Sequence, residues 1–197
     1  METFQTFSEA TGGQGLTIFD IDKTLFHSDT KVNIKKGGKI IKRGVSSWAK
    51  LGPGEEFDFG EYKDAKRFAR TATPIGKMLG KAKAIIKNAT KVGSKVIFVT
   101  ARADLDDKKV FINTFKAHGL DMSKVYVERA GNLGIDTAKN KTTILKTYLD
   151  SGKYARVRMF DDAIANLKGL LSLKDDYPDI TFEAWLVSSQ GSISTVR

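Results

Sequence analysis

The stretch LTIFDIDKTLF, residues 16–26, is an apolar run that ends at Asp20, with a second aspartate one residue later. A short apolar run rich in β-branched and aromatic side chains is typical of a buried strand. Side chains alternate along an extended chain, so Asp20 and Asp22 can point the same way while Ile21 points aside. Two carboxylates this close repel each other, and a cation between them would remove the repulsion. The stretch therefore predicts a strand that ends at a cation-binding loop.

Helix and strand patterns alternate from about residue 75 onward. Apolar residues in 75–91 recur at helical spacing and stop before Gly93, and KVIFVT (95–100) is typical of a second buried strand. The same patterns predict helices over 105–119, 141–152 and 163–176, and strands over 124–128, 155–162 and 180–187. This alternation indicates an α/β fold with a Rossmann-like, doubly wound parallel sheet. Such sheets bind ligands at the carboxyl ends of their strands.

The segment between the first strand and residue 74 does not follow this alternation. KVNIKKGGKIIKR (31–43) has two short runs about a Gly-Gly pair, which indicates a hairpin, and 49–62 has no regular pattern. We therefore expect three regions along the chain. They are a loose lead-in over 1–15, a core formed by 16–26 and 74–197, and a small flap or cap insertion over 27–73.

The composition of the 197 residues is that of a globular protein, with 41% hydrophobic and 28% charged residues. The absence of cysteine excludes a disulfide framework and a thiolate metal site, and it fits a reducing compartment. The first residues have no signal-peptide pattern, and no apolar run is long enough to cross a bilayer. We expect a cytoplasmic protein with no membrane partner, and the sequence does not indicate an oligomeric state.

Polar groups follow three of the predicted strands. Asp20, Thr100 and the pair Asp161–Asp162 fall at carboxyl ends that a parallel sheet brings to one edge. Because the chain has no cysteine and two histidines, its three strand-end carboxylates at 20, 161 and 162 are hard oxygen ligands suited to Mg²⁺. A carboxylate can act as a nucleophile and form an aspartyl-phosphate. The arrangement therefore favours phosphoryl chemistry, which needs mainly positioning and charge neutralisation.

Four short motifs resemble, in order, those of the haloacid dehalogenase (HAD) superfamily. They are DIDKT (20–24), VIFVTAR (96–102), Lys141 and MFDD (159–162). The resemblance implies a HAD-like core and a Mg²⁺-dependent phosphatase in which Asp20 is the nucleophile and a metal ligand. It also implies that Asp22 is first the general acid and then the general base, and that its main-chain carbonyl binds the metal.

The resemblance implies further roles around the phosphoryl group. Thr100 and Lys141 would bind that group, with Lys139 as a rival for the lysine. Asp161 would ligate Mg²⁺, and Asp162 would ligate it directly or through water.

Three more residues within the motifs are candidate substrate-binding residues. Thr24 would brace the loop at the site. Lys23 stands where the family commonly has glycine, and we expect either a tighter turn or a more basic site. Arg102 can bind a substrate phosphate bidentately, and a surface salt bridge is the alternative role for it.

The predicted flap is basic, in a chain with a net charge of +10. Residues 31–50 contain seven basic residues and no acidic one, namely Lys31, Lys35, Lys36, Lys39, Lys42, Arg43 and Lys50. This run is either a solvated face or a track for a nucleotide or nucleic acid. VTAR, NKTTILKTYL, RMFDD and FEAWLV in the second half of the chain are also loosely similar to the phosphatase domain of phage polynucleotide kinase-phosphatases. That similarity implies removal of 3′-phosphates from nucleic-acid ends.

Two other functions remain compatible with the sequence. One is a small-metabolite phosphatase of the same fold, and the other is a non-catalytic nucleic-acid-binding protein on the HAD scaffold. The complete motif set argues against the second. Three aromatic residues of the insertion, Trp48, Phe57 and Phe59, are expected to be packing residues in preference to a platform on which bases stack.

Overall fold

The computed structural model describes residues 14–45, 49–89, 93–133 and 136–197. Most of the predicted lead-in, 1–15, and Trp48 lie outside these residues. The last two residues of that lead-in, Gln14 and Gly15, are the start of the first strand. Within the described ranges, no helix is both long enough and apolar enough to cross a membrane.

The described residues form eleven strands and six α-helices. The strands are β1 (Gln14–Phe19), β2 (Phe26–His27), β3 (Val32–Lys36), β4 (Lys39–Val45), β5 (Glu55–Asp58), β6 (Thr73–Pro74), β7 (Lys95–Thr100), β8 (Val125–Arg129), β9 (Tyr154–Asp161), β10 (Thr181–Val187) and β11 (Ile193–Val196). The helices are α1 (Gly60–Lys63), α2 (Ala65–Thr71), α3 (Gly76–Ala89), α4 (Lys108–Ala117), α5 (Thr137–Leu149) and α6 (Ile164–Leu171). Short 3₁₀ helices lie at Met122–Lys124, Ala130–Leu133 and Ser172–Lys174.

Six strands form the central sheet in the order β11-β10-β9-β1-β7-β8. All neighbours pair in parallel except β11, which runs antiparallel to β10. From β1 the chain continues to β7 and β8 on one side, and it then crosses to β9 and β10 on the other. The strand order therefore reverses between β1 and β9, the kind of position where open α/β sheets bind ligands. The predicted α/β class with a mostly parallel, Rossmann-like sheet is confirmed at this level.

Both faces of the central sheet are covered by helices. Phe19 and Phe98 pack in one buried cluster with the apolar residues of α3 and α4. Ile18 and Ile97 pack in a second cluster with those of α5 and α6. Strands that are buried on both faces read as continuous apolar runs, which is why LTIF and KVIFVT lack polar alternation.

Between β1 and α3 the chain forms a second, smaller sheet. The short strands β2 and β6 pair antiparallel and bring the two ends of this segment together. Between them, β4, β3 and β5 form an antiparallel sheet, which we call the flap sheet. Its hairpin turns at Gly37 and Gly38, whose φ angles of 56° and 77° are those of a type I′ turn. Helix α2 packs on the core, where Phe68 lies against Phe111 of α4.

The structure differs from the sequence-based expectation in three places. Residues 49–62, predicted as irregular, contain β5 and α1, and β5 forms because it pairs with β3. Helix α5 starts at Thr137, one turn earlier than predicted, because the side chain of Asp136 accepts a hydrogen bond from the main-chain nitrogen of Lys139. Strand β11 was not predicted, and its place at the sheet edge depends on pairing with β10.

Candidate active site

Three aspartates meet at the carboxyl edge of the central sheet, where β1 and β9 lie side by side. Asp20 follows β1, Asp161 ends β9, and Asp162 comes directly after it. One carboxylate oxygen from each lies within 4.8 Å of the others. The main-chain nitrogen of Asp20 donates to the carbonyl of Phe160 at 2.9 Å and ties the first loop to β9. The fold thus brings together residues that are about 140 positions apart in the sequence.

Lys141 lies between two of these carboxylates. Its Nζ is 2.6 Å from Asp20 Oδ1 and 2.7 Å from Asp161 Oδ2, and the side chain is almost completely buried. Burial alone would lower the pKa of Lys141, but the carboxylates of Asp161 and Asp20 outweigh this effect and raise the pKa, so the ammonium stays charged. Lys139 is exposed on the surface of α5. Of the two rival lysines, Lys141 is therefore the one that contacts Asp20.

Burial makes this cluster of carboxylates electrostatically unfavourable. Burial raises the pKa of Asp20 well above its usual range, although Lys141 opposes the shift. Burial and then the negative charge of Asp161 raise the pKa of Asp162 to about 6. One ammonium group therefore does not neutralise three neighbouring carboxylates, and the cluster favours a further positive charge.

The donor set fits a hard divalent cation. Mg²⁺ takes oxygen ligands at about 2.0–2.1 Å, so ligands on opposite sides are roughly 4 Å apart. Separations within 4.8 Å between the three aspartate oxygens require small side-chain movements to reach that geometry. The carboxylate of Asp22 lies outside this cluster, and the contact implied for its main-chain carbonyl stays a prediction.

Asn166 holds Asp161 in position. Its Nδ2 lies 2.9 Å from both oxygens of Asp161, and the main-chain nitrogen of Ala163 donates to Asp161 Oδ1 at 2.8 Å. The sequence analysis missed Asn166. The signal available in the sequence was an asparagine in the first turn of a largely apolar helix, four residues after Asp162. A carboxylate fixed by such partners keeps its orientation, which a metal ligand would require.

A second buried ion pair joins Arg102 to Asp22. Arg102 Nε donates to Asp22 Oδ2 at 2.8 Å, and Nη2 donates to Asp22 Oδ1 at 2.7 Å. The same guanidinium donates to Thr30 Oγ1 at 3.0 Å, Ser28 Oγ at 3.2 Å and the carbonyl oxygen of Tyr62 at 3.1 Å. Ser28 Oγ also donates to Asp22 Oδ1 at 2.9 Å. The flap side of the site and the core are therefore tied together through Arg102.

The predicted roles of Arg102 do not fit this geometry. Its side chain is 0% exposed, and its fork is occupied by Asp22. A phosphate ligand needs free donors that face the substrate, and a surface salt bridge needs an exposed partner. Arg102 is instead a positioning residue for Asp22, which itself remains 23% exposed.

Both threonines of the predicted site are buried. Thr100 Oγ1 accepts a hydrogen bond from the main-chain nitrogen of Arg102 at 3.1 Å, so it shapes the turn after β7. Thr24 Oγ1 has no hydrogen-bond partner among the described residues. The first loop is held instead by its main chain, since the nitrogens of Leu25 and Phe26 both donate to the carbonyl of Ile21. Thr24 therefore does not brace the loop through its hydroxyl group as expected.

Lys23 adopts a backbone conformation that favours glycine. Its φ of 61° is the only positive value at a non-glycine residue in the described part of the chain. The side chain is exposed and lies on the first loop. A left-handed conformation costs a residue with a Cβ atom about 1–2 kcal/mol. The folded protein is therefore less stable with Lys23 in this loop than it would be with glycine.

We predict that Lys23→Gly raises the free energy of unfolding by about 0.5–1 kcal/mol, because glycine relieves the left-handed strain and solvent screens the attraction between the exposed Lys23 ammonium and Asp162 that is lost. Urea denaturation in EDTA measures the change. The matched control is Lys66→Gly in the exposed part of α2, where glycine lowers helix stability by about 1 kcal/mol. A loss of stability in both variants would contradict the strain at Lys23.

Comparison with known proteins adds no relative: no family model matches the chain, and no curated protein matches it. The resemblance to the HAD superfamily therefore rests on four motifs and on their positions in the fold. Those motifs lie at the carboxyl edge of the central sheet and on α5 beside it, and the ion pairs of Lys141 join three of them.

Proposed function

We propose that the protein is a Mg²⁺-dependent phosphomonoester hydrolase of the HAD superfamily, and that its substrate is a nucleotide or a nucleic-acid end phosphate. The observation that carries this proposal is the buried carboxylate of Asp20. It lies 2.6 Å from the Lys141 ammonium and beside Asp161 and Asp162, where the strand order reverses. A nucleophile, a cation and metal ligands at one position are the parts that phosphoryl transfer requires.

The proposed reaction has two displacements at phosphorus. An oxygen of Asp20 forms a bond to phosphorus while the bond to the leaving oxygen breaks, which gives an aspartyl-phosphate. Water then attacks phosphorus, and the bond to Asp20 breaks. The Lys141 ammonium stabilises the charge on the phosphoryl oxygens in both steps. Mg²⁺ bound by the three strand-end carboxylates would neutralise further charge.

We propose Asp22 as the group that moves the proton in both displacements. It would give a proton to the leaving oxygen and later take one from the attacking water. Arg102 and Ser28 hold both of its oxygens, while its side chain remains partly exposed to the site. The proton that Asp22 would give is the one that it takes from water in the preceding turnover, and the oxygen that carries this proton cannot also accept from Arg102, so the acid form requires one of these hydrogen bonds to be open.

A panel of phosphomonoesters tests the proposed function. It comprises an aryl phosphate, glycerol 2-phosphate, nucleoside monophosphates and a 3′-phosphorylated oligonucleotide. We expect phosphate release with Mg²⁺ and none in EDTA, because the carboxylate cluster needs the cation. Absence of release from every member would reject hydrolysis and leave the non-catalytic alternative.

Asp162→Asn should stabilise the metal-free protein. The raised pKa of Asp162, about 6, means that its ionised form is unfavourable in the folded state at neutral pH. Its partial exposure reduces the effect, so we expect a gain of about 1 kcal/mol in the free energy of unfolding. Mg²⁺ should then stabilise the wild type more than the variant, because a bound ligand stabilises the state that binds it.

Thermal unfolding in EDTA and in Mg²⁺ measures both parts of this prediction. Asp175→Asn is the matched control, because Asp175 is exposed and lies away from the cluster. It should change neither the metal-free stability nor the response to Mg²⁺. Equal stabilisation of the wild type and Asp162→Asn by Mg²⁺ would show that the ion binds elsewhere.

One observation reduces the advantage that we expect for a long nucleic acid over a mononucleotide or another small phosphorylated metabolite. The basic strand β3 lies between the basic strand β4 and β5, which carries Glu55, Glu56 and Asp58. Lys35 Nζ is 3.6 Å from Glu56 Oε1. These acidic groups partly neutralise the basic flap, so its field along a polyanion is weaker than the lysine count indicates.

The positive charge of the basic flap nevertheless leads to a measurable prediction. A 3′-phosphorylated oligonucleotide should have a higher kcat/KM than a nucleoside monophosphate at low salt, and high salt should reduce the advantage. The triple change Lys35→Ser, Lys36→Ser and Lys39→Ser should lower kcat/KM for the oligonucleotide about tenfold at low salt, because fewer counterions are released on binding.

Three lysines outside the flap provide a charge-matched control for this triple change. Lys116, Lys124 and Lys153 are exposed, and the last two directly precede β8 and β9 at the opposite edge of the sheet. Their replacement by serine should have little effect. If the mononucleotide is preferred at every salt concentration and the flap change has no effect, the substrate is a small metabolite.

A further inference from the structure

A cleft of about 480 Å³ lies between the flap sheet and the core. Val32, Lys35 and Phe57 contribute from the flap sheet, and Ala101, Gly131 and Thr137 contribute from the core. Ala101 directly follows Thr100 at the carboxyl end of β7. The cleft therefore opens at the same edge of the central sheet as the carboxylate cluster.

Aromatic rings line the flap side of the cleft. The centroids of Phe57 and Phe59 are 6.1 Å apart, and those of Phe59 and Tyr62 are 6.4 Å apart. All three side chains are partly exposed. Phe57 and Phe59 were expected to be packing residues, but neither belongs to the two apolar clusters of the described core. Partly exposed rings along a cleft are typical of a surface on which a planar ligand stacks.

Tyr62 connects this aromatic wall to the proposed reaction centre. Its carbonyl oxygen accepts from Arg102 Nη1 at 3.1 Å, and its ring centroid is 5.2 Å from Arg102 Cζ. Burial and then the negative charge of Asp22 raise the pKa of Tyr62, in agreement with a phenol close to that carboxylate. Asp22 is the group proposed to protonate the leaving oxygen, so the aromatic wall lies on the leaving-group side of the site.

The polar residues of the cleft carry charges of both signs. Lys35 and Lys63 lie in the lining together with Asp58. Two ammonium groups favour anionic oxygens of a ligand, and the carboxylate favours hydrogen-bond donors such as an exocyclic amino group. A ligand that combines phosphate, a planar ring and amino donors matches this lining better than a sugar phosphate does.

We propose that the cleft binds the base of the phosphorylated nucleotide, stacked on one of the rings of Phe57, Phe59 and Tyr62 with the others against its edge, because neighbouring rings are tilted by 52° and 62°. This inference deepens the proposed function and depends on it for the position of the phosphate. The volume falls within the range of about 300–1,000 Å³ found for small-molecule sites. The aromatic contacts are therefore specificity contacts, because they distinguish a nucleotide from a phosphate ester without a ring.

Binding to a variant that cannot turn over provides the direct test. In Asp20→Asn with Mg²⁺, calorimetry compares adenosine 3′-monophosphate with ribose 5-phosphate. We expect the nucleotide to bind at least tenfold more tightly, because one base stacked on one aromatic ring is enough to give a difference of that size. Adding Phe57→Leu and Phe59→Leu should remove most of this advantage, because leucine keeps an apolar side chain but has no ring.

Equal binding of the two ligands, or an advantage that the leucine pair leaves unchanged, would overturn the proposal. Ile41→Ala is the matched control, because Ile41 is an exposed apolar residue of β4 outside the cleft lining. It should preserve the nucleotide advantage. Circular dichroism and thermal unfolding establish that each variant is folded before binding is compared.

Kinetics separate this proposal from the proposed function. With Asp20 intact, the leucine pair should lower kcat/KM for the nucleotide about tenfold, mainly through KM, and should lower it much less for glycerol 2-phosphate. Hydrolysis with no difference between the two substrates would support the phosphatase and reject the base site. Base-dependent binding without hydrolysis of any phosphomonoester would support the site and reject the phosphatase.

Discussion

Asp20→Asn is expected to lower kcat on any phosphomonoester by at least about three orders of magnitude, the scale of loss seen when a nucleophile is removed. The amide keeps the shape of the side chain but cannot form an aspartyl-phosphate, and it removes one charge from the metal ligands. The buried site cannot recruit another group to replace it. Asp22, the next carboxylate along the loop, is held by both arms of Arg102.

The same substitution should leave the fold intact. Burial raises the pKa of Asp20, so a neutral amide removes an unfavourable charge, while Lys141 keeps its contact with Asp161 at 2.7 Å. We expect the free energy of unfolding in EDTA to change by about 1 kcal/mol or less. Phosphate release under single-turnover conditions measures the loss of activity, with Asp175→Asn as the exposed control. A variant with nearly full activity would exclude the covalent mechanism.

The central sheet could be predicted because its strands carry their own signal. KVIFVT coincides with β7, and the other long strands begin within two residues of the expected positions. Parallel strands that are buried on both faces must be apolar throughout, and that requirement is visible in a single sequence. By contrast, β5 and β11 are short and lie in segments without apolar alternation, so their extended form depends on β3 and β10, which sequence patterns do not reveal.

The candidate site likewise contains residues that could be predicted from the sequence and residues whose roles could not. Asp20, Asp161 and Lys141 could be predicted because each belongs to a short motif at the end of a strand or near the start of a helix. The roles of Arg102 and Asn166 could not, because they depend on distances that only the fold sets. Arg102 meets a carboxylate 80 positions earlier, and nothing in VTAR indicates that its side chain is buried. A buried arginine is uncommon without such a partner.

The pair formed by Arg102 and Asp22 therefore provides the largest expected effect on stability. Arg102→Met keeps an apolar side chain but removes the fork, whose Cζ lies 4.5 Å from the centroid of the Phe68 ring, and Asp22 is left without its cation. Breaking a buried ion pair on one side costs about 3–5 kcal/mol, and the partial exposure of Asp22 places the expected loss near the lower value. Arg102→Lys should recover only part of the loss. Lysine restores the positive charge, but an ammonium group cannot contact both oxygens in the same plane.

A double-mutant cycle with Asp22→Asn tests whether this loss belongs to the pair. If Arg102 acts by holding Asp22, the double variant should be less destabilised than the sum of the single variants by at least about 1 kcal/mol. Arg129→Met is the control, because Arg129 pairs with the exposed Asp104 at 2.7 Å and its loss should cost about 1 kcal/mol or less. Additive losses at Arg102 and Asp22 would instead mean that Arg102 supports the packing of the flap and core without positioning the carboxylate.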